Sequence, residues 1–337
     1  MSEILTDADV RFINSGSTLL DLALGGGWAI PRIFNLVGDK SSGKTLLAIE
    51  SFANFSRAFP DGRMRYAEAE SAFDEVYASI LGFPKNVTKP ADGMLTTVQE
   101  FQEDLKKFVA EGIESKTPGL YILDSLDALS DDAEVKEFFR EKKPDEDPKG
   151  SYGMSKPKEM SKLFRVLTQE IEKSNTSLGI ISQIRDNIST FPMRGESKTR
   201  SGGHALDFYS SQIVWLREID KLKRVYLGEE RTIGIEVEAV VKKNKVGFPF
   251  RTAKFPIIFA YGVDDEQSIL DWLKLRGQIT GESSLIFKKR LHAAREKKDY
   301  VDLKAIKSEL VLDACRVWAK IQDEMAPPVR KYAEELR

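Results

Sequence analysis

Gly38-Asp39-Lys40-Ser41-Ser42-Gly43-Lys44-Thr45 matches the pattern G-x-x-x-x-G-K-[ST] at every fixed position. In such a loop, backbone N–H groups and the positive end of the following helix face an anion. Lys44 adds a full charge for the β- and γ-phosphates of a nucleoside triphosphate, and Thr45 a hydroxyl ligand for Mg²⁺. Two further stretches carry the carboxylates that this chemistry needs. Leu120-Tyr121-Ile122-Leu123-Asp124-Ser125 is an apolar run ending in Asp, which puts Asp124 beside the loop, where it can hold Mg²⁺ through water. Tyr66–Asp74 carries Glu68 and Glu70, either of which could orient the water that attacks a γ-phosphate. With one residue between them both can face the same side of a strand, so spacing does not choose.

The flanking elements suit a phosphate cradle. Arg32–Val37 reads as a strand before the loop, and Leu46–Phe55 as a helix after it. Ser17–Gly25 reads as a short helix ended by Gly25-Gly26-Gly27. Strands are expected at 64–69, 94–98, 119–123 and 178–182, with helices at 73–81, 99–112 and 156–173 between them. Met160, Leu163, Leu167 and Ile171 share one face of the last of these helices. The alternation predicts an α/β fold: a mostly parallel central sheet flanked by helices. Charged residues, Pro and Gly make 136–158 a long mobile insertion, and 186–203 a second aperiodic segment. Stretches 211–216, 225–227, 233–241 and 255–259 read as an antiparallel extension, closed by a helix at 266–275. Beyond about 283, helices at 287–298 and 302–325 carry an apolar stripe of Leu303, Ile306, Leu310, Val317 and Ile321. The expected organisation is a short stub at 1–11, a core at 12–282 and a small helical domain at 283–337.

Formal net charge is −2, so any nucleic-acid site must be a local patch; the 283–337 tail is mildly basic, with 13 Lys+Arg against 9 Asp+Glu. One cysteine, Cys315, excludes an internal disulfide, and with only His204 and His292 besides it a Cys/His zinc site is not available. Cys315 is expected to be packed in a helix. The N-terminus lacks a basic start and an apolar core, and no run of about 18 apolar residues occurs, so neither a signal peptide nor a membrane span is expected. A cytoplasmic location follows as the expectation.

The motifs occur in an order that resembles the RecA-type recombinases. The resemblance rests on 12–25, the loop 38–45, Glu70-Ser71-Ala72-Phe73-Asp74-Glu75-Val76-Tyr77, Leu123-Asp124-Ser125, Ser182-Gln183-Ile184-Arg185, 201–209 and Val241-Lys242-Lys243-Asn244-Lys245, and it covers roughly residues 12–280. The short N-terminus and the charged insertion give the look of a phage- or prophage-encoded member. The resemblance implies a RecA-like ATPase core using ATP and Mg²⁺. It makes Glu70 the water-activating glutamate, Asp74 and Tyr77 adenine contacts, and Gln183 the sensor that couples the γ-phosphate to a second DNA loop. Lys243 and Lys245 would reach across a subunit interface to a neighbour's ATP. Lys158, Ser161 and Arg165 match phosphate-contacting positions near a first DNA loop; Arg185, Ile188, Gly202 and Gly203 match positions of the second. Between them, Arg194, Lys198 and Arg200 add charge, and Ile188 or Phe191 could wedge between bases.

The implied activity is a DNA-dependent ATPase that binds single-stranded DNA, pairs it with double-stranded DNA and assembles into a filament, with a single-strand-binding or loader protein as a further partner. Three features depart from the family pattern: only a stub precedes Phe12, Asp207 stands where a lysine is usual, and the chain ends without an acidic tail. The first of these puts filament formation through an N-terminal element in doubt. Two other readings share the core: a hexameric ring helicase, and a non-catalytic ATP-switched DNA-binding or regulatory protein. Turnover with and without single-stranded DNA separates them.

Overall fold

The computed structural model describes residues 11–91, 93–132, 135, 155–186, 198–200 and 203–326; for 155–158, 185, 186, 198–200, 203 and 204 it describes the backbone alone. The insertion at 136–150, together with Ile188, Phe191, Arg194 and Gly202, lies outside the described residues. The chain divides into two compact units, one ending at Val263 and one beginning at Asp264. Helix Asp265–Leu275 therefore belongs with the C-terminal helices instead of closing the core.

In the first unit, β1 (Arg11–Ile13) and β2 (Trp28–Ile30) form a small antiparallel pair around α1 (Thr18–Leu24). Ser17 caps the start of α1, and Gly25 ends it at φ 87°, a left-handed conformation that favours glycine. The main strands follow as β3 (Ile33–Gly38), β4 (Arg63–Glu68), β5 (Gly119–Asp124), β6 (Thr176–Asp186), β7 (Lys198–Arg200), β8 (Gln212–Tyr226), β9 (Glu229–Asn244), β10 (Thr252–Ile258) and β11 (Gly262–Val263). They make a 9-stranded sheet in the order β11-β10-β9-β8-β3-β6-β5-β4, with β7 paired to β6 off that path. From β4 to β8 the pairings are parallel; β9, β10 and β11 extend the sheet antiparallel.

β3 and β5 are buried along their whole length, as central parallel strands covered on both faces must be. After α1, the described residues of this unit form the α-helices α2 (Lys44–Ala58), α3 (Glu75–Ile80), α4 (Val98–Ser115), α5 (Ser155–Lys173) and α6 (Gly203–Tyr209). On α5, Met160, Leu163, Phe164, Leu167 and Ile171 are all buried. At about 1.5–3 kcal/mol each, this burial outweighs the weak helix preferences of its polar face. On α2, Phe52 and Phe55 are fully buried and pack the core.

Two expectations are corrected. Residues 94–98 are not a strand: Thr97 makes one isolated bridge to Ser130 and then caps α4 through a reciprocal bond pair with Glu100. Residues 211–216 and 225–227 are one long strand, β8, because Arg217–Arg224 continues the ladder with β9 on an exposed ribbon.

The second unit contains α7 (Asp265–Leu275), α8 (Gly281–Glu296) and α9 (Tyr300–Met325). Ile269, Leu270, Leu273, Leu291, Ala294, Ile306, Leu310 and Ala314 are its buried apolar side chains among the described residues, so the expected stripe packs at Ile306 and Leu310 and is half-buried at Leu303, Val317 and Ile321. The buried Glu266 carboxylate binds Arg295 at 3.5 Å and also Lys307, joining the three helices. Cys315 is half-buried, and burial raises its thiol pKa.

Candidate active site

The site forms where β3, β5 and β6 end. A Cβ on Gly38 would lie 2.4 Å from Ser42 Oγ and 2.8 Å from the Leu216 carbonyl oxygen, so the loop can only turn there on glycine. Gly43, at φ 89°, caps α2 without a side chain, and a Cβ there would meet Ile257. Between them, Asp39, Lys40 and Ser41 are exposed, while Ser42 Oγ donates to the Asp39 carbonyl at 2.8 Å. Lys44 Nζ donates to the same carbonyl at 2.7 Å. Burial lowers the Lys44 pKa, and the nearby carboxylates of Asp124, Glu70, Asp127 and Asp39 oppose that shift. An ammonium held by a neutral carbonyl amid negative charge is ready to exchange that carbonyl for a phosphate oxygen.

Strand register sets the rest. Gly38 pairs with Gln183 on β6, and Glu68 with Asp124 on β5, so one edge carries the loop, the amide and the carboxylates. Thr45 Oγ1 donates to Asp124 Oδ2 at 2.7 Å, and Tyr66 OH donates to the same oxygen at 2.9 Å. Burial raises the Asp124 pKa; the Thr45 and Tyr66 hydroxyls and Lys44 pull it down, and Glu70 pushes it up. Gln183 Nε2 donates to Glu70 Oε1 at 2.8 Å and the Gln183 N–H to Asp127 Oδ2 at 2.6 Å; Ser125 Oγ also donates to Glu70 Oε1. Glu68 is elsewhere engaged: its Oε1 accepts from the Phe73 N–H at 2.8 Å and shapes the turn into α3. Of the two glutamates left open by spacing, Glu70 is the one brought to the loop.

These residues fit a nucleotide and its metal. A hydroxyl and a carboxylate 2.7 Å apart beside a phosphate-sized turn are hard oxygen donors of the kind Mg²⁺ takes together with phosphates. Among the described residues there is no group of three or more His, Cys, Asp and Glu side chains to hold a metal alone. Tyr66, Ser125 and Asp127 complete the constellation. Ser125 and Asp127 follow Asp124 at the same strand end, where polar groups after a buried strand are a usable signal. Tyr66 reads as a core aromatic and carries no such signal.

Other named residues stand apart. Asp74 Oδ1 accepts from the N–H groups of Val76 and Tyr77 at 2.9 and 3.0 Å, capping α3, and Tyr77 OH accepts from the Ala260 N–H at 3.3 Å. Neither bonds to the loop among the described residues. Lys243 pairs with Ile213, which pairs with Asn35 on β3. At about 3.3 Å per residue this is about 10 Å upstream of Gly38. Lys243 Nζ donates to the Phe208 carbonyl at 2.9 Å and to that of Asp207, and Lys245 Nζ to Phe208 at 3.5 Å. They thus meet the C-terminal carbonyls of α6 and not this chain's own phosphate loop.

Of the nucleic-acid candidates, Ser161 and Arg165 are exposed on α5, opposite its buried face. Lys158 lies in the same helix, with its side chain outside the described residues. Arg185 continues β6 two residues past Gln183; it pairs with Thr199 on β7, between Lys198 and Arg200, in an antiparallel ribbon. Gly203 begins α6. The side chains of Arg185, Lys198 and Arg200 also lie outside the described residues.

A RecA N-terminal domain family model matches residues 3–264. The chain is 34% identical over 265 residues to the RecA protein of Leptospira meyeri, covering 78% of this chain and 62% of that one. It is 36% identical over 271 residues to RecA of Porphyromonas gingivalis, covering 79% and 72%, and 33% over 272 residues to RecA of a Synechococcus strain, covering 80% and 65%. The chain therefore spans only 62% of the length of the Leptospira protein. No helix among the described residues is long and apolar enough to cross a membrane.

Proposed function

The chain belongs to the RecA family, and from that premise we propose that it is a DNA-dependent ATPase that assembles on single-stranded DNA and promotes homologous pairing with a duplex. The observation that carries the proposal is the bond from Gln183 to Glu70, because β6 runs on from Gln183 into the ribbon with β7 that bears Arg185, Lys198 and Arg200. A change at the γ-phosphate is thereby tied to a basic ribbon through one continuous strand.

In this mechanism Lys44 leaves the Asp39 carbonyl and takes the β- and γ-phosphates. Thr45 and Asp124 hold Mg²⁺, which supplies charge neutralisation on the phosphate oxygens when bound. Glu70 accepts a hydrogen bond from the attacking water and aligns it with the γ-phosphorus; ADP and phosphate leave. Gln183, released from Glu70, follows the γ-phosphate and moves β6. Lys243 and Lys245 of a neighbouring copy stabilise charge on the transferring phosphoryl, which makes assembly and turnover interdependent. Asp74 and Tyr77 receive the adenine, with the tyrosine ring as a stacking face. Each DNA phosphate neutralised by Lys158, Arg165 or the ribbon steepens the salt dependence by about 0.7 log units per log salt on single strands, with Ser161 adding a hydrogen bond and no charge.

The test is ATP hydrolysis with and without single-stranded DNA, combined with particle imaging. DNA-stimulated turnover by filaments supports the proposal. Closed rings that unwind duplexes would replace it with a helicase, and ATP-dependent DNA affinity without turnover with a switch protein.

A further inference from the structure

We infer that Tyr66 is a positioning residue that fixes the Asp124 carboxylate for Mg²⁺, an inference that rests on the ATPase reading. Tyr66 is 2% exposed, and its ring is enclosed by three others: Phe73 with centroids 4.4 Å apart, Phe83 at 6.0 Å and Phe52 at 6.2 Å. A phenol buried this way needs a partner for its hydroxyl, and that partner is Asp124 Oδ2 at 2.9 Å. Thr45 Oγ1 donates to the same oxygen. Among the described residues, both hydroxyls that reach this carboxylate converge on Oδ2, which leaves Oδ1 to accept from a metal-bound water.

The two donors are not equivalent. Thr45 stands in the first turn of α2, and as a metal ligand it must turn its lone pair to the cation. Tyr66 is on β4, held in register with Ile122 on β5, two residues before Asp124. Its contact is set by that strand pairing. When Thr45 is drawn to the metal, the tyrosine hydroxyl keeps the carboxylate in place. Groups that orient a ligand in this manner typically alter metal affinity by 10–100-fold when removed. A tyrosine that merely fills the core would instead affect folding and leave the metal dependence alone.

Tyr66→Phe removes one oxygen and keeps the ring. Mg²⁺ is titrated into the full chain with a fluorescent ATP analogue, in parallel with binding in EDTA and with Asp124→Asn and the double variant. The expected result is a Mg²⁺ midpoint raised about tenfold in Tyr66→Phe, with binding in EDTA retained and no further shift in the double variant over Asp124→Asn. An unchanged or lower midpoint overturns the role. So does loss of binding in EDTA, which would make the hydroxyl a folding contact, and so does an additive double variant. A wild-type chain whose nucleotide binding ignores Mg²⁺ also overturns the role, whereas absence of ATP hydrolysis with and without single-stranded DNA overturns the ATPase reading itself, separately from Tyr66.

Discussion

At the C-terminal ends of β3, β5 and β6, Lys44, Thr45, Asp124, Glu70 and Gln183 are joined by short bonds between one another and the loop. At the opposite edge, Lys243 and Lys245 rest on the last carbonyls of α6, at the register of Asn35 and beyond. The first set is tied together by the chain's own groups. The second holds its charge at a helix end, where a cation contributes only about 0.3–1 kcal/mol and is easily drawn away. One chain thus carries an organised loop site and, about 10 Å of strand away, two lysines that under the proposal act on another copy's site.

The largest expected effect breaks the first half. Lys44→Ala should reduce ATP turnover to background, on the order of 10³-fold or more, because it removes the buried ammonium that the loop carries for the phosphates. Steady-state phosphate release checks it. The second half should cost about 10³-fold when Lys243 and Lys245 are both changed to Ala, with nucleotide affinity of the isolated chain retained. Mixing the two inactive variants is the sharper measurement. Lys44→Ala supplies intact lysines and the double alanine variant an intact loop, so part of the turnover should return. A mixture as dead as its components would place the lysines outside the reaction.

Within the loop site, Glu70→Gln should retain nucleotide binding and slow hydrolysis roughly 10²-fold. Glu68→Gln should leave turnover close to normal, since Glu68 is bonded to the Phe73 N–H. Undiminished turnover in Glu70→Gln would remove the water-orienting role.

The same contrast governs what could be read in the chain. The loop, its strand and its helix were legible because glycine spacing and apolar periodicity record local backbone requirements. Glu68 and Glu70 could not be told apart by period two; the family resemblance chose Glu70, and in the structure Glu68 is bonded into the turn at Phe73 while Glu70 meets Gln183. The 94–98 stretch reads as a strand because Met94, Leu95, Thr97 and Val98 suit one, yet Thr97 is spent on capping α4. β8 and β9 escaped in part because Arg217–Arg224 and Glu229–Arg231 lie on a ribbon exposed on both faces, with no buried side to impose alternation. β1 and β2 span three residues each, too short for any period.

The smallest expected effect lies inside Lys243-Asn244-Lys245 itself. Asn244 is 9% exposed; its Nδ2 donates to the Leu24 carbonyl at 2.8 Å, and its Oδ1 accepts from the Val246 N–H at 3.1 Å. Asn244→Ala would strand a buried carbonyl and should destabilise the chain by about 1–3 kcal/mol. Lys243→Ala loses a partly exposed contact at a helix end and should cost no more than about 1 kcal/mol. Urea unfolding midpoints compare them directly. If Lys243→Ala proves the more destabilising, its contact with α6 is a structural one, and the loss of turnover in the double variant no longer argues for action on a neighbour. If the order is Asn244 above Lys243, the middle residue holds the end of β9 while the lysines on either side remain free to leave α6.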